Sequence, residues 1–84
     1  MSSKLIQSYV LDKYFVSTIH RESSTDPPMW FYETFGWEWD IKTREKGKFI
    51  IEEDSGIDPA KAIVDHANIC RRLVEADQLL DNEY

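Results

Sequence analysis

His66 and Cys70 stand four residues apart, a spacing that on a helix puts an imidazole and a thiol on one face, within reach of a common metal ion. A structural zinc site takes four ligands, yet the chain holds one cysteine and two histidines. His20 with an Asp or Glu would have to complete the set, and no spacing in the sequence brings them together. The same pair read as base and nucleophile would need an exposed thiolate in an electropositive pocket. Arg71 and Arg72 supply charge nearby, but both residues fall in or beside an apolar helical stripe. Core packing is the reading that fits, with Cys70 as a small hydrophobe and the His66 ring tucked against its neighbours. No metal site and no cofactor are expected.

Glu52, Glu53 and Asp54 form the other concentration of chemistry-bearing groups. Three consecutive side chains at a strand end point to alternate sides, so they do not converge, and their spacing is not that of a calcium loop. Gly36, Gly47 and Gly56 are too far apart to cradle a phosphate, and Ser17, Ser23 and Ser24 have no positioned base. No catalytic residue is named. A small enzyme or ligand-binding domain using His20 or His66 with nearby carboxylates stands as the alternative to a binding role.

The strongest signal is aromatic. Residues 29 to 40, MWFYETFGWEWD, carry six of the eleven aromatic side chains. As a strand the segment divides by parity into Phe31, Glu33, Phe35, Trp37 and Trp39 on one side and Trp30, Tyr32, Thr34, Gly36 and Glu38 on the other. The first set, with four large rings, is expected to meet a helix. Glu33 fits that row badly unless a basic partner or a bulge near Gly36 intervenes. Trp30 and Tyr32 then fall on the uncovered side. Covered by the N-terminal segment or a second copy they are ordinary packing; left open, together with Lys42 and Arg44 of the following hairpin, they form a partner-binding surface. Aromatic rings on an open sheet beside Lys42, Arg44, Lys46 and Lys48 also resemble single-strand binding platforms, but no basic groove runs along them, and nucleic acid is disfavoured.

The elements that must position these groups follow from pattern and punctuation. Residues 14 to 22 are rich in β-branched and aromatic types and end at Ser-Ser-Thr-Asp-Pro-Pro, a strand followed by a loop. The aromatic strand comes next, then a polar stretch in which Gly47 is expected to take the positive φ of a bulged hairpin, then a third strand from Lys48 to Glu52. Asp58-Pro59 is a helix start, the aspartate capping free amides and the proline at the first helical position. With about 100° per residue, Ala60, Ile63, Val64, Ala67, Cys70, Leu73 and Val74 share one arc of a helix of about 20 residues. Residues 1 to 12 are ambiguous between a helical turn and an extended segment, with an extended edge favoured; residues 81 to 84 read as a frayed acidic tail.

These elements predict a single small α+β domain over 1 to 84: a three-stranded, and with the N-terminal segment four-stranded, antiparallel meander with one C-terminal helix on one face. Phe15 or Val16, Ile19, Phe31, Phe35, Trp37, Trp39, Phe49, Ile51, Ile63, Ala67, Cys70, Leu73 and Val74 are its expected core. Eighty-four residues leave room for one core of modest stability. The net charge of −6 resides wholly in residues 52 to 84, with nine acids against three bases, which repels phosphates and favours solubility or a basic partner; the partner expected is an unknown protein or a second copy of the chain. A lone cysteine argues for a reducing cytoplasm, and no segment has the run of about 20 apolar residues that a membrane span needs. The chain reads as a non-catalytic protein-protein interaction module.

Overall fold

The structure, a computed structural model, describes residues 2–82, with side chains from 3 to 79. It is an α+β fold in which β1 (Ser2–Val10), β2 (Tyr14–Glu22), β3 (Trp30–Asp40) and β4 (Glu45–Gly56) form an antiparallel meander in the order β1-β2-β3-β4, with α1 (Pro59–Asn82) packed on one face. The strand added to the three-stranded meander is the N-terminal segment, β1, extended as its edge reading predicts. Of the expected acidic tail, Asp81 and Asn82 belong to α1, and residues 83 and 84 lie outside the described residues.

The connections explain the register. Leu11 and Asp12 both take left-handed φ values, 54° and 56°, and the Lys13 amide donates to the Val10 carbonyl at 3.0 Å, closing a tight turn whose twist matches the flanking strands. The Lys13 carbonyl then accepts from the Trp39 amide at 2.7 Å, tying this turn to β3. The Asp40 carboxylate accepts from the Lys42 amide at 2.9 Å, and the left-handed residue that returns the chain is Arg44, φ 57°. Gly47 is therefore not the turn residue expected; β4 starts two residues before it and is twelve residues long. At the far end Gly56, φ 68°, turns the chain out of β4, and Asp58 Oδ1 caps the Ala60 amide at 2.9 Å to start α1 at Pro59.

The sides of the sheet are the reverse of the expectation. Helix contacts fall on the even-numbered residues of β2 and β3: Val16 packs on Ile69, and His66 bonds Thr18, which faces Thr34. Phe35, Trp37 and Trp39 point away from α1. Small and hydroxylated side chains under the helix let its backbone lie close to the sheet: Thr18, Thr34 and Ala62 are completely buried, and Gly36 is buried. Room at Gly36 is so short that a Cβ there would lie 2.5 Å from Ile51 Cγ2.

The helix is likewise turned from its expected orientation. Ala62, His66 and Ile69 are buried and Leu73 half-buried, a 4-3-4 spacing, while Ile63 is 50% and Val64 56% exposed. Only Cys70, Leu73 and Val74 of the predicted arc adjoin the core, which centres on Val10, Val16 and Ile69 with Tyr14 and Ile51 beside them. The resulting body is a slab, 52 × 26 × 17 Å.

Candidate interaction face

Six rings make an unbroken chain across the sheet face that α1 leaves bare. Strand periodicity and register put Tyr9 of β1, Phe15 of β2, Trp37 of β3 and Phe49 of β4 in one row, with Trp39 and Phe35 in the rows either side. Ring centroids are 5.2 Å apart for Tyr9 and Phe15, 5.8 Å for Phe15 and Trp37, and 6.1 Å for Trp37 and Phe49; Trp39 sits 4.9 Å from Tyr9, and Phe35 5.8 Å from Trp37. These are the offset and tilted separations at which aromatic pairs attract. Phe15 is sealed beneath its neighbours, whereas Tyr9 is 59% and Phe49 47% exposed. The Lys46 ammonium stands 4.5 Å from the centre of Trp37, a cation–π contact. A shallow groove of about 850 Å³ follows the rings, with Lys4, Gln7 and Arg44 also lining it.

Charge changes sign along the face. Beyond Phe35 and its cross-strand neighbour Glu52 comes the pair Glu33 and Asp54. Glu33 is 5% exposed, with Arg21 Nε 2.7 Å from its Oε1. Burial raises the Glu33 carboxyl above the usual carboxylate range, a hydrogen bond with Glu52 adds to the rise, and Arg21 opposes it. The basic partner that its place in an aromatic row demands is thus Arg21, whose guanidinium also lies 5.3 Å from the Phe31 ring.

The residues predicted as a partner surface do not come together. Trp30 and Tyr32 lie on the helix side of the sheet, where His20 stacks on Tyr32 at 4.3 Å and approaches Trp30 at 5.0 Å. Trp30 remains 44% exposed and Tyr32 is half-buried. Lys42 is an exposed turn residue, and Arg44 alone of the four borders the ring groove. Parity within one strand could not reveal the face, because Tyr9, Phe15 and Phe49 come from three other strands.

His66 sits under the helix in a network of hydroxyls. Its Nε2 is 2.7 Å from Ser8 Oγ and its Nδ1 2.7 Å from Thr18 Oγ1, which in turn is 2.6 Å from Thr34 Oγ1. Burial lowers its basicity and raises the Cys70 thiol above the ordinary thiol range, the latter opposed by a hydrogen bond with Ser8. A neutral imidazole can accept from one hydroxyl and donate to the other, so both ring nitrogens are satisfied.

Comparison with protein-family models, with curated proteins and with solved structures finds no match to this chain. Among the described residues no group of three or more His, Cys, Asp or Glu is placed to hold a metal ion, and no helix is long and apolar enough to cross a membrane.

Proposed function

We propose that the chain is a non-catalytic interaction module of the cytoplasm and that its working surface is the bare sheet face. The observation that carries this reading is the contiguous six-ring patch, built from all four strands and open to solvent at Tyr9 and Phe49. Exposed aromatic patches rimmed by polar groups are where partners dock, and Lys4, Gln7 and Arg44 supply such a rim. The free Cys70 thiol suits a reducing compartment.

Two other readings rest on particular features. Lys46 over Trp37, with Lys4 and Arg44 near, is a beginning of a single-strand stacking platform, but Glu33, Glu52 and Asp54 on the same face oppose a phosphate chain. A ligand-binding or enzymatic role through His66 would have to work with hydroxyl partners beneath a packed helix, and His20 stacks on a tyrosine.

A photo-cross-linking residue placed at Tyr9 in the cell that makes the protein tests the proposal. Protein adducts from Tyr9, without adducts from the exposed helix position Gln78, are expected. Equal yields from both positions, or none from Tyr9, would overturn it.

A further inference from the structure

We infer that the occupant of the ring face is a second copy of this chain, docked sheet to sheet about a two-fold axis. This rests on the reading that the face is an interaction surface and names its partner.

The chain alone leaves too much surface exposed. The chain exposes 5988 Å², whereas a compact monomer of its mass exposes about 5200 Å². The surplus, about 800 Å², is what each partner contributes to a standard-size interface. Its radius of gyration, 14.3 Å, exceeds the value of about 12 Å for a compact chain of this length. Among the described residues five hydrophobic side chains are buried, and twelve large ones are exposed. Stacking two copies through their bare sheet faces encloses the rings in an interior that one copy lacks. Two sheets so packed lie about 10 Å apart with their facing side chains interdigitated.

Charge on the face suits a second copy. An isologous interface pairs each residue's row with the row reflected through the axis. With the axis across the strands at the Tyr9, Phe15, Trp37 and Phe49 row, that row meets its own copy. The adjacent rows then exchange: Trp39 and Lys46 of one copy face Phe35 and Glu52 of the other. One row further, the Arg44 end of each sheet meets the Asp54 end of its mate, while Glu33 in that row keeps its own partner Arg21. Along β4 the patch is thus complementary to itself in charge, Lys46 against Glu52, as well as apolar. The exposed helix residues Ile63 and Val64 offer two aliphatic side chains against the six rings of the sheet face.

Light scattering on size-separated chain over a concentration series tests the inference. The expected mass is twice 9.9 kDa, and Phe49→Lys, which changes a ring already exposed, is expected to give a folded monomer by circular dichroism. Lys46→Glu and Glu52→Lys should each weaken dimerisation about tenfold, and the double exchange should restore it. A wild type that stays monomeric throughout would overturn self-docking while leaving the Tyr9 cross-linking result to judge the broader reading. A dimer untouched by all of these substitutions would show that another surface holds the copies together. A monomer whose tryptophan emission is quenched by a thymidine oligonucleotide would assign the face to nucleic acid instead.

Discussion

Thr18 Oγ1 lies 2.7 Å from His66 Nδ1 on α1 and 2.6 Å from Thr34 Oγ1 on β3, so one hydroxyl joins the helix to both central strands. Buried polar groups are costly when orphaned, and this cluster fastens α1 in one rotational setting rather than merely tolerating it. His66→Ala leaves Thr18 short of a partner and opens a cavity. It is expected to cost about 2–4 kcal/mol in urea denaturation.

The same histidine makes stability depend on pH. Burial depresses its folded-state basicity below the ordinary imidazole value of 6.5, so the unfolded chain binds the proton more readily. Its contribution is complete above pH 6.5 and diminishes as pH falls below it, toward the depressed folded value. Urea midpoints measured from pH 7.5 downward should therefore fall more steeply for wild type than for His66→Gln; parallel curves would mean that His66 titrates alike in both states.

Glu33 contributes with the opposite sign. Its folded-state acidity is weakened relative to the unfolded value of 4.5, so its proton is held better by the folded chain. The stability it gives is full below pH 4.5 and lost as pH rises through the folded value. Glu33→Gln cannot lose that proton. Relative to wild type, the variant should gain stability as pH rises above 4.5 and then level off, which paired denaturation curves will measure.

The orientation of α1 predicts a contrast between two isoleucines. Ile69 is completely buried and Ile63 half exposed. Ile69→Ala should cost about 2–4 kcal/mol, and Ile63→Lys should stay within about 0.5 kcal/mol, both by chemical denaturation. Similar costs at the two sites would mean that the helix is turned as its most obvious apolar arc suggests.

Gly36 is expected to tolerate no side chain, because an added Cβ would meet Ile51 Cγ2 at 2.5 Å. Gly36→Ala should destabilise by about 1–3 kcal/mol. In an Ile51→Ala background the penalty should shrink, a coupling that a double-mutant cycle on urea stability detects.

Much of this architecture was legible in the residue order, and the failures share one physical origin. The bounds of β2, the Asp58-Pro59 helix start and the meander itself follow from local chemistry, as does the packing of His66. Sidedness is not local. Parity divides β3 into two sets but does not say which set meets α1, and size favoured the wrong one: four rings seemed the better floor for a helix than Thr34 and Gly36. Close approach of backbones favours the small set, and Gly36 was its only hint. On α1, Ala62, His66, Ile69 and Leu73 compete with an arc of nearly equal width richer in aliphatic residues; the imidazole, paired to hydroxyls on other strands, decides the contest. The ring patch needs cross-strand register, which pattern within one strand does not contain.

The outermost ladders of this meander carry a consequence for growth. At the β1 margin the pairing slips between Lys4 and Ile6, and at the β4 margin it slips between Tyr32 and Glu33, between Gly36 and Trp37, and between Trp37 and Trp39. Such irregularities bend a strand and spoil it as a template for a newcomer's amides and carbonyls, and Lys46, Lys48, Glu52 and Asp54 add charge along the second rim. Lateral recruitment of further chains into a ribbon is thereby discouraged, so that the sheet-to-sheet docking proposed above would end at a closed and finite particle instead of a fibre.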